Sequence, residues 1–444
     1  MKTFHFIILS FLIGIYSCGI SHRNDAGKTT GSNNEQAYPA GNYPDRIMQS
    51  VSEKPAEQIT VSWRTSTSIK SGFVEFAPFS PKNNVDNSQI VEAEKVHINF
   101  ENVVNDHYFQ ATINQLVPNK EYSIRVGNKN YRSEWFKVRT APEAFEPFSF
   151  LWFGDVQNDI KEFAPRIFSQ AMKKAPDAKF IVHSGDLVLS SGNDDTWGEW
   201  FYSGSWMFRE IPSLAIPGNS DHFRMTEDPI DQRILFPQWH GVFRFPRNGP
   251  ENMDNVAYYY DYPGIRMVAL YSNFESTTKD DREIFLNPEI QLTDKMFYEQ
   301  TQWLEQVLRT NTQKWLMVVM HHPVFTAREE RYNELLLENW LPLFEKHKVD
   351  FVLQGHDHVY ARGFNPNSSN QNKLPVYAIS FAGGKSRTLD NSHKWIKASL
   401  EDTQLFQVIQ VNDTEIEYKA YDAGGRIIDS FAIIENQNGK SIIE

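Results

Sequence analysis

The chain has 444 residues, a length that as a prior corresponds to two or three domains of roughly 150 residues each. Hydrophobic residues make up 40% of the chain and charged residues 23%, which allows a large buried core and excludes a mostly disordered protein. The net charge of −12 disfavours nucleic acid as a partner, and the single cysteine, Cys18, excludes an intramolecular disulfide and a cysteine-rich metal site.

Residues 1–17 are typical of a bacterial export signal. Lys2 precedes an apolar run from Phe4 to Tyr16 that is too short to cross a membrane as a helix. Because the run ends at Ile15-Tyr-Ser-Cys18, which resembles a relaxed lipobox, we expect cleavage before Cys18 and lipidation of its thiol. The alternative is an ordinary signal peptide with an incidental cysteine. Polar residues 18–41 predict a flexible tether that would hold the protein body at the membrane.

Residues 42–141 show the alternation of apolar and polar side chains that is typical of half-buried strands. The predicted strands are Gln58–Trp63, Gly72–Phe76, His107–Ile113, Glu121–Val126 and Ser133–Val138. Several short strands with no helical segment between them predict an all-β sandwich. Trp63 and the segment Leu116–Tyr122 resemble a fibronectin type III domain. We interpret this domain as a spacer or as a wall of the functional site.

Residues 147–434 alternate apolar runs with amphipathic segments, which predicts an α/β layered domain. The predicted strands are Phe148–Phe153, Lys179–Val182, Leu214–Ile216, Arg266–Leu270, Trp315–Met320 and Asp350–Leu353. The predicted helices are Ile160–Lys174, Leu292–Arg309 and Tyr332–Lys346. A β-meander from Gln404 to Ile434, with a hairpin turn at Ala423–Gly425, closes the domain.

Metal-binding side chains follow five of the predicted strands directly. They are Asp155 and Gln157, Asp186, Asn219, His321 and His322, and His356 and His358. In open α/β sheets ligands bind beyond the carboxyl ends of the strands, so we expect these five loops to converge. A set of carboxylates, amides and imidazoles suits zinc, manganese or iron better than calcium or magnesium.

The order and spacing of these segments resemble the calcineurin-like metallophosphoesterases. The segments Tyr43–Arg46, Val61–Thr65 and Gly355–Arg362, together with the preceding sandwich, make the chain most similar to purple acid phosphatases. The resemblance implies a four-layer metallophosphoesterase β-sandwich flanked by helices, after an N-terminal fibronectin type III-like domain. It also implies hydrolysis of a small phosphomonoester by metal-activated hydroxide.

The resemblance further implies a role for each residue around two divalent ions, which we expect to be zinc, manganese or iron. Asp186 would bridge both ions, Asp155 and His358 would bind the first, and Asn219, His321 and His356 would bind the second. Gln157 would complete the first ion or, alternatively, only form hydrogen bonds beside it. His322 would point to the substrate cleft.

Three positions depart from the family. Gln157 stands where the wider family often has a histidine that binds the first ion. Leu189 stands where purple acid phosphatases have an iron-binding tyrosine, so we expect a colourless site with divalent ions. Ser220 stands where the family has the histidine that follows Asn219. His222, oriented by Asp221, would replace that histidine as the general acid for the leaving group. The alternative interpretation is that His222 and Asp221 are an ordinary pair in a surface loop.

Other residues have structural interpretations. We expect His183 to form hydrogen bonds beside the site, Arg362 to form an ion pair, and the aromatic stretch from Trp197 to Phe208 to pack in the core. The alternative for Trp197 or Tyr202 is a platform at the rim of the cleft.

The predicted function is therefore that of an exported phosphatase of the bacterial cell envelope, on the periplasmic face of the outer membrane or at the cell surface. A phosphodiesterase on the same fold is one alternative. The other is a binding or adhesion lipoprotein that retains a catalytically impaired phosphatase fold.

Overall fold

The computed structural model describes residues 36–82, 85, 87–100, 104–189, 192–224, 233–273, 294–329, 331–368 and 372–444. The predicted export signal, Cys18 and most of the predicted tether lie outside these residues. Residues Ala37–Glu444 form one compact unit. Within the described residues, no helix has both the length and the apolar character needed to cross a membrane.

The N-terminal domain is a β-sandwich of two four-stranded layers, as the alternating pattern predicts. Its strands are β1 (Asp45–Ser50), β2 (Ile59–Ser66), β3 (Phe73–Pro78), β4 (Gln89–Glu92), β5 (Glu94–Phe100), β6 (Val104–Ile113), β7 (Glu121–Gly127) and β8 (Phe136–Arg139). One layer has the strand order β1-β2-β6-β5 and is one end of an eleven-stranded sheet that continues from β1 into the second domain. The other layer is the separate four-stranded sheet β4-β3-β7-β8. Trp63 is fully buried between them and stacks on Phe109 with ring centroids 5.6 Å apart. Burial of such aromatic rings is the main stabilising contribution to a sandwich of this size.

The second domain contains sixteen described strands and five described α-helices. The strands are β9 (Phe148–Phe153), β10 (Ile181–His183), β11 (Ser213–Ala215), β12 (His222–Arg224), β13 (Arg233–Leu235), β14 (Tyr258–Tyr262), β15 (Ile265–Leu270), β16 (Trp315–Met320), β17 (Phe351–Gln354), β18 (Tyr360–Phe364), β19 (Val376–Ile379), β20 (Ile396–Leu400), β21 (Leu405–Val411), β22 (Glu415–Asp422), β23 (Ile427–Asn436) and β24 (Gly439–Ile443). The helices are α1 (Ile160–Lys174), α2 (Asp194–Phe208), α3 (Gln238–Val242), α4 (Asp294–Arg309) and α5 (Leu341–Lys346).

Two sheets pack face to face in this domain. The first has the order β24-β23-β22-β21-β9-β10-β11, and the second has the order β14-β15-β16-β17-β19-β18-β20. Trp152 and Tyr418 of the first sheet contact Phe351 of the second, with ring centroids 6.3 and 5.4 Å apart. Strands β9, β10 and β11 are parallel, as are β15, β16, β17 and β19. The predicted α/β fold class is confirmed, and the parallel strands present their carboxyl ends on the same side of each sheet.

Several predicted elements differ in detail from the observed ones; the strand predicted at Ser133–Val138, for example, is observed at Phe136–Arg139. The predicted helix Tyr332–Lys346 contains a π-helical turn, Leu336–Trp340, directly before α5. Pro342 lies at the start of α5 and has no amide N–H, so it cannot donate a helical hydrogen bond. The wider π-helical turn before it accommodates the missing hydrogen bond. The C-terminal meander also extends beyond Ile434, because β24 pairs with β23 through a turn that ends at Gly439.

Buried charges join the two domains. Asp194, at the start of α2, accepts hydrogen bonds from Arg46 of β1 at 2.5 and 2.8 Å and from Arg64 of β2 at 3.1 Å. All three side chains are at most 3% exposed. Strand β1 also pairs with β11 of the second domain, at Ser50 and Ser213. Arg46 and Arg64 belong to the two N-terminal segments on which the family resemblance rests, and their position shows that these segments bind the domains to each other.

We expect replacement of Asp194 by alanine to destabilise the protein by about 3 kcal/mol or more, because two buried guanidinium groups would lose a carboxylate partner. The free energy of unfolding in urea measures this effect. The matched control is Asp177→Ala, which removes an exposed carboxylate and should change stability by less than about 0.5 kcal/mol. Equal stability of the two variants would show that the buried ion pairs do not hold the domains together.

Candidate metal centre

The loops after the parallel strands bring six ionisable side chains together in two groups. Asp155, Asp186 and His358 form the first group, in which one ligand atom of each residue lies within 4.8 Å of the others. His321, His322 and His356 form the second group, in which one ring nitrogen of each residue also lies within 4.8 Å of the others. Asp155 and Asp186 follow parallel strands of the first sheet, and the histidines follow parallel strands of the second, so the convergence shows that the carboxyl ends of both sets of strands lie at the same end of the packed sheets.

The two groups are neighbours, and Asp186 lies between them. Its Oδ1 atom is 3.4 Å from Nε2 of His321, which itself lies 3.1 Å from Oδ1 of Asn219 and 3.2 Å from Nδ1 of His356. On the other side, Oδ1 of Asp155 is 3.7 Å from Nε2 of His358. Asp186 is thus in the position that a carboxylate shared between two cations requires.

The backbone at the centre adopts conformations that most residues avoid. Asp155, Asp186, His356 and His358 all have positive φ angles, of 37°, 54°, 74° and 53°. Left-handed conformations of non-glycine residues raise the energy of the folded state and are concentrated at functional sites. The folded structure therefore maintains strained backbone at four of the seven predicted metal ligands.

Glycines make room for the two carboxylates. A Cβ atom at Gly218 would lie 2.2 Å from Oδ1 of Asp186, and one at Gly355 would lie 2.4 Å from Oδ2 of Asp155. Both contacts are far shorter than van der Waals separation. Larger residues at these positions would displace the carboxylates from the centre.

Burial controls the protonation of the site. Burial and the nearby Asp186 carboxylate raise the pKa of Asp155 well above its ordinary value. Burial also lowers the pKa of His321, lowers that of His356 well below its ordinary value and lowers that of His358 to about 4. Neutral imidazoles have a lone pair available for a metal ion, and a divalent cation would offset the buried negative charge of the carboxylates.

Backbone carbonyls orient two of the imidazole rings. Nδ1 of His321 donates to the carbonyl of Ser184 at 2.9 Å, and Nδ1 of His358 donates to the carbonyl of Lys385 at 2.9 Å. These bonds fix the tautomer and leave each Nε2 facing the centre. The same arrangement is typical of histidines that bind metals.

Gln157 is buried beside the first group. Its Nε2 atom lies 2.5 Å from Oδ2 of Asp186 and 3.0 Å from Nε2 of His358. Its Oε1 atom is buried and has no hydrogen-bond partner among the described residues. A buried amide oxygen without a partner is unfavourable in a protein and is satisfied when it binds a cation. The donor set of the centre therefore fits divalent ions, and Gln157 remains compatible with either predicted role.

His322 belongs to the second group of imidazoles. Its ring centroid is 4.3 Å from that of His356, and its Nδ1 atom is 3.3 Å from the hydroxyl of Ser272. The sequence interpretation placed His322 toward a substrate cleft. The structure places it beside His356, in the same group of three imidazoles that could bind a metal ion.

Asp221 and His222 are close in sequence but have different contacts. Asp221 accepts hydrogen bonds from the amides of Leu187, Val188 and Gly218 at 3.0, 3.3 and 2.8 Å. The ring of His222 contacts the carbonyl of Gly218 and the hydroxyl of Tyr271, both at 2.7 Å. Asp221 thus joins two loops of the centre, and its contacts differ from the predicted pairing with His222. The buried positions of both side chains also contradict the surface-loop alternative.

Sequence reasoning missed Tyr271 and Ser272 and did not predict the contact that Ser220 makes at the centre. Ser220 donates from its amide and its hydroxyl to the two oxygens of Asp186, at 2.7 and 3.1 Å. Tyr271 contacts His222, and Ser272 accepts hydrogen bonds from the amides of His321 and His322 at 3.2 and 3.0 Å. Tyr271 and Ser272 directly follow β15, which is the position where the other site residues stand, but the sequence rule selected only side chains that commonly bind divalent metals.

Other predicted residues lie away from the centre. His183 packs among aromatic rings, including Phe153 and Trp200, and burial lowers its pKa to about 3. Its Nε2 atom lies 3.5 Å from the hydroxyl of Ser213, so its hydrogen-bond contact is with a strand residue of the first sheet and not with a predicted metal ligand. Arg362 forms the predicted ion pair, with Asp429 at 2.6 Å. Trp197 is fully buried in the core, whereas Tyr202 is exposed. Leu189, at the position of the family's tyrosine, is 47% exposed.

The two domains match two known sequence families. Residues 44–140 match the purple acid phosphatase N-terminal domain, and residues 148–360 match the calcineurin-like phosphoesterases. Purple acid phosphatase 21 of Arabidopsis thaliana is 24% identical over 359 residues, which cover 78% of this chain and 73% of that protein. An uncharacterized Mycobacterium tuberculosis protein is 25% identical over 331 residues, which cover 69% of this chain and 59% of that protein, so the chain spans about three fifths of the relative's length.

A solved structure supports the same assignment at the level of the fold. The purple acid phosphatase PPD1 from yellow lupin (Lupinus luteus) seeds matches with a TM-score of 0.73 and 17% identity, over 89% of this chain and 75% of that one. The folds of both domains therefore have counterparts in that structure. The chain belongs to the calcineurin-like metallophosphoesterases, and its two-domain organisation is that of the purple acid phosphatases.

Proposed function

We propose that the protein is a dinuclear metal-dependent phosphatase that hydrolyses small phosphomonoesters. The observation that carries this proposal is the position of Asp186 between the group of Asp155 and His358 and the group of His321 and His356. One carboxylate that faces two separate sets of ligands is what a pair of neighbouring divalent ions requires.

In this proposal the first ion would be held by Asp155, His358 and Gln157, and the second by Asn219, His321 and His356, and Asp186 would be shared by both. When bound, two divalent ions would attract and orient the phosphate, lower the pKa of water toward about 7 and stabilise the charge of the transition state. The chain contributes the ligands, their fixed orientation and a buried environment that strengthens electrostatic interactions.

His222 is the candidate proton donor for the leaving oxygen. Its Nδ1 atom donates to the Gly218 carbonyl at 2.7 Å, so the proton for the leaving oxygen would come from Nε2, the nitrogen that lies 2.7 Å from the Tyr271 hydroxyl. Ser220 cannot supply the proton near neutral pH, and its hydroxyl donates to Asp186. General acid catalysis at this position would favour monoesters whose leaving groups need a proton.

We also propose that the protein is exported and anchored to the bacterial cell envelope by a lipid on Cys18. The apolar run from Phe4 to Tyr16 and the single cysteine that follows it support this location. Acyl chains would attach the body to the membrane without a spanning segment.

We expect His356→Ala to lose bound metal and to reduce turnover of 4-nitrophenyl phosphate at least about 100-fold, because one ion loses an imidazole that the fold holds in place. Elemental analysis of protein purified without added metal, together with a steady-state assay, measures both effects. The matched control is His97→Ala, which removes an exposed histidine of the N-terminal domain and should retain metal and turnover.

Each contrary result has a distinct meaning. Full turnover by His356→Ala would contradict the proposed site. Wild-type protein that binds two metal ions per chain but hydrolyses neither monoesters nor diesters would favour the binding-protein alternative. Turnover of bis(4-nitrophenyl) phosphate comparable with that of the monoester would favour the phosphodiesterase.

We expect His222→Ala to slow hydrolysis of glycerol 3-phosphate about 100-fold and that of 4-nitrophenyl phosphate less than about tenfold. An alkoxide needs a proton to leave, whereas nitrophenolate does not, and general acid catalysis typically contributes 10² to 10⁴-fold. The comparison of kcat for the two substrates tests the role.

Tyr271→Phe is the companion variant for this test. It keeps the ring beside His222 but removes the hydroxyl, so we expect the same preference for the aryl substrate in a weaker form. If both variants slowed the two substrates equally, with unchanged melting temperatures, His222 would be a packing residue and not an acid.

A further inference from the structure

The segment from Gly383 to Asp390 forms one border of the candidate metal centre. The amide of Gly383 donates to the carbonyl of Asp155 at 2.8 Å, and the amide of Arg387 donates to the carbonyl of His358 at 3.1 Å. The carbonyl of Lys385 accepts the hydrogen bond from Nδ1 of His358. Backbone contacts with two predicted ligands fix this segment against the centre.

A second segment with basic side chains lies against the first. The amide of Asp390 donates to the carbonyl of Ala327 at 2.9 Å, which joins the two segments. Arg331 donates to the carbonyl of His356 at 2.9 Å and to Asp357 at 2.7 Å. Arg328 precedes it in the same turn. Four cationic side chains, Lys385, Arg387, Arg328 and Arg331, therefore border the centre of a protein whose net charge is negative.

Lys385 lies directly beside the centre, because its backbone carbonyl is 2.9 Å from Nδ1 of His358. Its ammonium group interacts electrostatically with Asp186 and with the ring of His358. Partial burial and the nearby Arg387 lower the pKa of Lys385, and Asp186 acts in the opposite direction. The side chain is neither fully exposed nor fully buried, which leaves the ammonium group accessible to a bound molecule.

The charges of this border are only partly compensated. Arg331 pairs with the buried Asp357, so its charge is balanced within the fold. Lys385 and Arg387 form no ion pair with another residue in the part of the chain that the structure describes. A partly buried ammonium that makes no direct ion pair among the described residues, next to a site that would bind phosphate, is well suited to bind an additional anionic group.

We propose that Lys385, assisted by Arg387, binds a second anionic group of the substrate, so that the enzyme prefers phosphomonoesters that also carry a carboxylate or a second phosphate. This inference rests on the proposed phosphatase function. The scissile phosphate would be bound at the metal centre, and the second anion would lie on the side of His358. Phosphate esters of uncharged alcohols would bind at the same centre but would not make this second contact.

The test compares two substrates that differ at one position, 3-phosphoglycerate and glycerol 3-phosphate. The first has a carboxylate where the second has a neutral hydroxymethyl group, and both have alkyl leaving groups. We expect wild-type protein to have a higher kcat/KM for 3-phosphoglycerate. We expect Lys385→Gln to reduce the ratio of the two kcat/KM values about tenfold, because a charge-assisted hydrogen bond to the substrate is lost.

Two further variants separate charge from structure. Lys385→Arg keeps the positive charge and should retain most of the preference for 3-phosphoglycerate. Lys173→Gln removes an exposed charge in the last turn of α1 and should leave the ratio unchanged. Arg387→Gln should reduce the ratio in the same direction as Lys385→Gln. A ratio that is the same in wild type, Lys385→Gln and Arg387→Gln would overturn the inference while the phosphatase function stands.

Failure of the proposed function gives a different result. If the metal-loaded wild type hydrolysed neither substrate, calorimetric titration with 3-phosphoglycerate would test the anion site directly. Binding that weakens about tenfold in Lys385→Gln would support the site without catalysis. Equal affinity in both proteins, or no binding to the wild type, would reject it.

Discussion

The burial of Asp155 and Asp186 at one edge of the sheets is the constraint on which the rest of the structure depends. Two carboxylates removed from water are unfavourable unless positive charge or hydrogen bonds compensate them. The neighbouring imidazoles do not supply that charge, because burial lowers the pKa values of His356 and His358. Backbone amides supply part of the compensation, and the amide N–H of His356 is shared between the two carboxylate oxygens of Asp155, at 3.0 and 2.8 Å. Divalent ions would supply the remainder.

The architecture around the centre serves this constraint at several levels. The left-handed backbone at four ligand positions directs their side chains inward, and Gly218 and Gly355 leave space for the carboxylates. Asp221, with its three backbone amides, joins the loop of Asp186 to the loop of Asn219. Strained conformations persist only where surrounding contacts over-determine them. The sheets, the helices and the domain junction provide that rigid surrounding.

Much of the fold could be predicted from the sequence, because strong apolar runs and their periodicity determine most of the strands of the parallel core. The bounds of α1 agree with the predicted helix, since its amphipathic pattern is continuous from Ile160 to Lys174. The roles of Asp221 and His183 could not be predicted, because spacing along the chain does not reveal whether a buried polar side chain faces backbone amides, aromatic rings or a ligand. Tyr271 was missed for a different reason, since tyrosine is not among the usual divalent-metal ligands and its contact with His222 joins distant segments.

The central claim is that one shared carboxylate and its neighbours bind two metal ions. Anomalous diffraction from crystals of protein purified without added metal tests it most directly. The account predicts two peaks roughly 3.5 to 4 Å apart, one beside Asp155 and His358 and the other beside Asn219 and His321, with Asp186 in contact with both. The absence of any peak between these residues, or metal bound by only one of the two groups at full occupancy, would contradict it.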